Sequence, residues 1–464
     1  MKEIVIEPVT KVEGHGKVTI HLDDNGDVEE ARFHVTEFRG FEKFLEGRKI
    51  WETPRITTRI CGICPVSHHL AAAKACDDLF NLEIPPAAAM LRELMHVGQT
   101  VHSHSLHFFY LAAPDFLLPD DPATRNIFGV IGANPELAKK AIKLRKFGQT
   151  VIERIGGKAI HPVTAIPGGM SMSLSPAVRD EMLREVDEAI EHSQLAVEVA
   201  KDVLDGFDPD FARIETNHLG LVKNGNLELY DGDIRLKGMD GGVLEEFECH
   251  NYLDYLGEHV NSWSYLKFPF YKKQGYPDGI YRVGPLGRLN VADSVSTPLA
   301  AEEFKEFKKL GDPVQQTVYY HYARMIETLY ASERAKELLE DDEITSDDVR
   351  VPVVKGEGEG VGVIEAPRGT LLHHYKADDM GDITSANLIV ATVNNNPAMD
   401  RSVKEVAKRE IKGGEITESI LNHVEMAIRC YDPCISCATH AVGKMPLVVE
   451  LYDERGNRIS AVAR

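Results

Sequence analysis

Apolar and polar side chains alternate over residues 3–8, 16–22 and 28–36, with Asp24-Asn25-Gly26 between the last two runs. A period of two broken by an Asn-Gly turn predicts a small antiparallel sheet. The period then lengthens. Positions 65–80 follow helical spacing, and the run over 86–113 carries Met90, Leu94, Val97, Val101, Leu106 and Phe109 in a helical pattern. Further helices are expected over 135–155, 176–205, 313–340 and 415–430. Between 206 and 295 the periodicity fades and Asn-Gly and Asp-Gly pairs recur, which predicts hairpins and loops. Residues 361–364, 371–375 and 388–393 read as strands, and 441–464 alternates like a hairpin about Arg455-Gly456-Asn457. Neither a linker nor an internal repeat divides the chain. The expectation is one mainly helical α+β unit over 1–440, with small peripheral sheets, followed by an extension over 441–464.

Composition narrows the class. The chain has 464 residues, 43% of them apolar, enough for a sizeable core. Its net charge of −21 repels phosphate backbones, which argues against a nucleic-acid partner. No run approaches the roughly eighteen apolar residues of a membrane span. The N-terminus lacks a signal-peptide apolar region and reads as a strand. These features predict a soluble, cytoplasmic protein.

There are seven cysteines, an odd number that argues against a disulfide framework in such a chain. Four form two C-x-x-C pairs near opposite ends. One is Arg59-Ile60-Cys61-Gly62-Ile63-Cys64, with His68 after it; the other is Asp432-Pro433-Cys434-Ile435-Ser436-Cys437, with His440 after it. This spacing lets two sulfurs reach one ion, and a helix mouth favours the thiolate. Two pairs together make a four-sulfur site for a soft metal, and spacing alone leaves zinc, iron–sulfur and nickel open. A zinc ribbon normally keeps its pairs within about 20 residues. Cys76, Cys249 and Cys430 lack such company and read as buried thiols. His102, His104 and His107 share a helix without a carboxylate at metal spacing and read as core histidines. The glycine-rich stretch from Gly356 lacks Gly-Lys-Ser/Thr, so a nucleotide role is weak.

The residues around the cysteines carry more. Arg-Ile-Cys-Gly-Ile-Cys with His68, and Asp-Pro-Cys-Ile-Ser-Cys-Ala-Thr-His440, resemble the two signatures of nickel–iron hydrogenase large subunits. The resemblance runs along nearly the whole chain. It includes Glu7-Pro8-Val9-Thr10-Lys11-Val12-Glu13-Gly14-His15, Phe38-Arg39-Gly40-Phe41-Glu42, Ile160-His161-Pro162, Pro167-Gly168-Gly169 and Glu365-Ala366-Pro367-Arg368-Gly369. The runs from His102 to Phe108 and from Ser436 to His440 look most like the cytoplasmic archaeal group tied to methanogenesis.

The resemblance implies a large-subunit fold with a central helical bundle, and reversible heterolytic cleavage of dihydrogen. It implies that Cys61, Cys64, Cys434 and Cys437 hold nickel. Cys64 and Cys437 would bridge to an iron carrying carbonyl and cyanide ligands. Cys434 and then Glu13 would take the proton; Arg368 would hang over the open metal position, with Asp432 beside it. Thr392 would donate to a cyanide and His68 would lie near a bridging sulfur. Glu42, the Leu388 carbonyl and His440 would hold magnesium or a similar hard ion. Ser103 stands where many family members carry an aspartate, which puts any mechanism relying on that carboxylate in doubt.

Family precursors are cut after the histidine matching His440 by a maturation protease, so 441–464 looks like a removable extension. Electrons would leave through a small iron–sulfur subunit toward heterodisulfide reductase or a deazaflavin-binding subunit. The rival is a complex I-like coupling subunit of the same fold, which usually lacks the four cysteines.

Overall fold

The computed structural model describes residues 2–36, 39–118, 122–354, 356–439, 448–452 and 458–463. In chain order, strands β1 (Lys2–Ile6), β2 (Gly16–Leu22) and β3 (Val28–Val35) form the predicted antiparallel sheet. Helix α1 (Pro65–Leu79) follows, then α2 (Pro86–Leu106), α3 (Pro135–Gly156) and α4 (Pro176–Asp205). Helix α2 widens into π geometry over His107–Ala112 before ending in a short α segment, Ala113–Leu117. A mixed sheet holds β4 (Asn217–Lys223), β5 (Asp233–Lys237) and β6 (Val243–Phe247). Helices α5 (Pro285–Val291), α6 (Pro298–Lys308) and α7 (Tyr320–Glu340) come next. An antiparallel sheet of β7 (Gly358–Ala366), β8 (Gly369–Ala377) and β9 (Ile383–Ile389) leads into α8 (Ala391–Glu410) and α9 (Glu418–Arg429). This is the expected α+β architecture with small separate sheets.

Helices α2, α3, α4 and α7 pack as the central bundle. α7 lies at its heart, with residues buried around its whole circumference, including Arg324, Glu327 and Thr328. α2 and α3 cross closely because Gly98 and Gly148 face each other: a Cβ on Gly148 would sit 2.5 Å from the Gly98 carbonyl. Small residues at a crossing let backbones approach. The glycine-rich segment from Gly356 has the same use. Alternate positions Gly358, Gly360 and Gly362 on β7 lie against α1, and a Cβ on Gly362 would come within 2.1 Å of the Ala71 carbonyl. Strand β7 therefore lies almost on the backbone of the helix that begins at Cys64.

Three expectations need correction. The strand expected over 388–393 ends at Ile389, and Ala391, Thr392 and Val393 open α8. The continuous apolar run 388–393 hides this switch, since short buried strands and buried helix ends look alike. The helix expected from 313 begins at Tyr320, after a 3-10 turn over Thr317–Tyr319. Helices α5, α6 and α8 were not expected; α5 falls inside the stretch read as hairpins and loops. The tail pairs Val448–Tyr452 with Arg458–Ala463 antiparallel, as its alternation predicts; the turn expected at Arg455-Gly456-Asn457 lies outside the described residues.

Gly362→Ala should destabilise the protein by about 1–3 kcal/mol, the usual cost of overpacking. Chemical denaturation reads this directly; an unchanged midpoint would contradict the close approach.

Candidate metal centre

Each cysteine pair lies at a helix mouth. Cys64 is the N-cap of α1 with Pro65 at the first helical turn, and Cys434 caps the single turn Ile435–Ala438. The folding problem is to bring these mouths together across 373 residues of chain. The first loop is held by Gln99, which donates to the Ile63 carbonyl at 2.8 Å, and by Arg39, which donates to the Ile60 carbonyl at 3.1 Å. His161 sits 2.9 Å from the Thr58 carbonyl, giving the Ile-His-Pro motif a structural use. The second loop is held by the bundle. Arg324 of α7 donates to the Cys430 carbonyl at 2.9 Å, and His107 to the Arg429 carbonyl at 2.8 Å. Arg429 then ties Asp115, Glu425 and Thr10 together, so the N-terminal segment arrives beside the second pair.

Val-Glu-Gly-His completes the seam. Glu13 bridges to Cys434 as parallel backbone, and its carbonyl accepts from the Ile435 N–H at 2.9 Å. Gly14 has a φ of 86°, and a Cβ there would sit 2.8 Å from both Ile435 Cβ and Ser436 N. Only glycine accepts both the conformation and the approach.

The result is four buried sulfurs, all within 4.8 Å of one another. Cys61 lies 3.2 Å from Cys434, Cys64 lies 3.3 Å from Cys437, and Cys434 lies 2.8 Å from Cys437. All seven cysteines are free thiols. The Cys61 sulfur accepts from the N–H groups of Ile63 and Cys64 at 3.2 and 3.3 Å. Hydrogen bonds from Cys434 and its neighbours hold Cys61 well below the ordinary thiol range, while burial pushes Cys434 and Cys437 well above it. Four thiolates packed this closely require a positive centre among them.

A small cavity opens off the sulfurs. Cys64, His68, Ala366, Pro367, Arg368, Leu371, Val390, Thr392, Cys434 and Cys437 take part in its wall. Arg368 occupies the two-residue turn between β7 and β8, where Ala366 pairs with Gly369. Its Nη2 donates to Asp432 at 3.0 Å and its Nη1 to the Ser103 hydroxyl at 3.4 Å. Burial opposes the charged guanidinium, but Asp432 and the nearby sulfurs outweigh it and hold its pKa well up. Burial pushes Asp432 up despite Arg368. With serine at 103, Asp432 carries the charge partnership. The Thr392 hydroxyl accepts from the Cys434 N–H at 3.0 Å, which leaves its own proton to donate. His68 lies one helical turn beyond Cys64 and is fully buried. Glu42 accepts from the Leu388 N–H at 2.8 Å, a contact to that residue's N–H and not to the carbonyl expected as an ion ligand; His440 lies outside the described residues.

A family model described as nickel-dependent hydrogenase matches residues 39–124 and 222–440, and one described as HoxL-like matches 3–38. The chain belongs to the nickel-dependent hydrogenase family. It is 48% identical to a vhc F420-non-reducing hydrogenase chain of Methanococcus voltae, across 99% of each chain. It is 45% identical to the beta chain of the NAD-reducing hydrogenase HoxS of Cupriavidus necator over the whole of both. The large-subunit fold matches a crystal structure of NAD+-reducing [NiFe]-hydrogenase in the H2-reduced state. That match has a TM-score of 0.92 at 46% identity, covering 95% of this chain and all of that one. As a hydrogenase large subunit, the protein is an oxidoreductase acting on dihydrogen, and the family's nickel and iron suit the buried sulfur quartet. The complex I-like alternative is not favoured.

The structure also reveals what sequence reasoning missed in this hydrogenase. Arg288 of α5 donates to Glu327 of α7 with two nitrogens, each at 2.6 Å, and to Glu365 of β7 at 2.7 Å. It further donates to the carbonyls of Ala366 and Pro367 at 2.8 and 3.2 Å, so it grips the turn that aims Arg368. Burial lowers His104 to about 4, and its neutral ring donates to Glu327 at 2.9 Å. Nothing in the sequence spacing links positions 104, 288, 327 and 365. Cys76 and Cys430 are buried as expected, while Cys249 is only half-buried.

Arg288→Met should strand two buried carboxylates and cost about 3–5 kcal/mol. Denaturation of the variant checks this; wild-type stability would contradict the clamp.

Proposed function

We propose that the four sulfurs, Glu13, Arg368 and Asp432 form the dihydrogen-activating machinery, with the two ends of the chain closing around it. The observation that carries this reading is the convergence of four buried cysteines on one point, with a carboxylate and a guanidinium beside them. When bound through Cys61, Cys64, Cys434 and Cys437, the nickel–iron group supplies heterolytic splitting of dihydrogen. By the family resemblance, Cys64 and Cys437 would hold the iron as well as the nickel, and the iron would carry carbonyl and cyanide ligands.

The protein's part is proton handling and electrostatics. Cys434 Sγ holds the proton first, and Glu13 Oε2 lies 3.0 Å away, within direct transfer reach. The Ser436 N–H donates to the same carboxylate oxygen at 3.0 Å, fixing its aim. Glu13 is half-buried, so its other face leads toward the exterior. Arg368 keeps a fixed positive charge over the cavity, and Asp432 orients it. Thr392 and His68 supply donors to the wall. Glu42, Leu388 and His440 are proposed as a structural magnesium site, whose oxygen ligands suit a hard ion.

Only four of the seven cysteines are grouped, so electrons are expected to leave through an iron–sulfur partner. The relatives named F420-non-reducing support an acceptor other than deazaflavin, such as a heterodisulfide reductase. Cleavage of 441–464 by a maturation protease and a cytoplasmic location complete the proposal; among the described residues no helix is long and apolar enough to cross a membrane.

Glu13→Gln is expected to keep its nickel but lose most deuterium–proton exchange; wild-type exchange would end the relay assignment. Arg368→Lys keeps the charge but loses the guanidinium's fork of donors; it should retain metal and lower dihydrogen-dependent dye reduction by about 100- to 1,000-fold, the usual loss for one preorganised donor. An undiminished rate would remove Arg368 from the machinery.

A further inference from the structure

A chain of three buried rings runs away from the sulfur site. His68 Nδ1 lies 3.1 Å from His373 Nε2, and His373 Nδ1 lies 2.7 Å from the Tyr375 hydroxyl. His68 stands on α1, one turn past Cys64, while His373 and Tyr375 sit two apart on β8 and face the same side. All three are fully buried.

The polarity of such a chain is decided at its far end. A hydroxyl sealed from water must donate to something, because an unmade buried hydrogen bond costs more than a made one gains. The acceptor at hand for Tyr375 is His373 Nδ1. Nδ1 then carries no hydrogen, so His373 is the Nε2–H tautomer and donates to His68 Nδ1. With His68 neutral, its hydrogen is left on Nε2. His68 contributes to the wall of the cavity shared with Cys64 and Cys437. An imidazole whose outer nitrogen is fixed by a donor presents a fixed N–H on its inner side, the device by which distant partners tune metal ligands.

We propose that Tyr375 and His373 are positioning residues that lock His68 as an N–H donor toward the thiolate site. This rests on the nickel–thiolate reading above. Hydrogen bonds to ligating sulfur draw off electron density and raise the potential of the metal. Loss of the lock should therefore make the centre harder to reduce.

The test is a redox titration of the nickel electron paramagnetic resonance signal in matured enzyme, with nickel content measured on the same samples. Tyr375→Phe removes only the hydroxyl that sets the polarity. It should shift the midpoint potential downward, in the same direction as His68→Leu and by less. Adding Tyr375→Phe to His68→Leu should produce no further shift. His373→Gln should restore a value near wild type, since an amide can accept from Tyr375 and donate to His68, whereas His373→Leu should not. Tyr375→Phe at the wild-type potential, or a shift additive with that of His68→Leu, would overturn the proposal. So would equal effects of glutamine and leucine at 373, which would mark a packing role. Nickel-free wild-type protein would overturn the metal reading, and this inference with it.

Discussion

Four thiolates cannot share one dry pocket without a positive charge between them. In this chain burial raises Cys434 and Cys437 far above the ordinary range, and hydrogen bonding lets only Cys61 fall. Four sulfurs within 4.8 Å of one another suit a cation, and these ligands come from both ends of the chain. The N-terminal segment, the helix after Cys64 and the segment after α9 are all held within a few ångströms of that point. The glycines at 14 and 362 and the buried arginines 288, 324 and 429 serve the same end, by close approach or by tying loops to the bundle.

Placing charges in the core is costly, and the structure meets that cost by pairing. Arg288 faces Glu327 and Glu365, Arg429 faces Asp115 and Glu425, and Arg368 faces Asp432. Such pairs add little net stability over apolar packing, yet each strongly penalises the loss of one partner. They make the arrangement of loops around the site singular. This rigidity suits a site where Glu13 must stay at 3.0 Å from one sulfur and Arg368 must stay poised beside the cavity.

Much of this was legible in the sequence. Period-two alternation marked β1 to β3, helical spacing marked α1 to α4, and the cysteine motifs with their neighbours marked the family. Glu13, Arg368, Asp432, Thr392 and His68 all come to the site they were expected to share. Other parts were not legible. Residues 388–393 are apolar throughout, and nothing in that run announces that the backbone turns from strand to helix at Val390, bringing Thr392 to Cys434. The clamp of Arg288, Glu327 and Glu365 joins residues 39 and 77 positions apart on three elements, a relation that exists only after folding. The glycines from Gly356 were read only as a poor fit to a nucleotide loop, whereas their alternation records the proximity of α1. His373 and Tyr375 carried no motif, because their meaning depends on His68 arriving from 305 residues away.

The central claim is that one nickel ion is gripped by sulfur from both ends of this chain. X-ray absorption at the nickel edge of matured protein tests it most directly, comparing wild type with Cys61→Ser and Cys434→Ser. The account predicts a first shell made of sulfur in the wild type, and loss of nickel or of sulfur neighbours in each variant. A first shell of nitrogen or oxygen, or a wild-type spectrum in either variant, would contradict it.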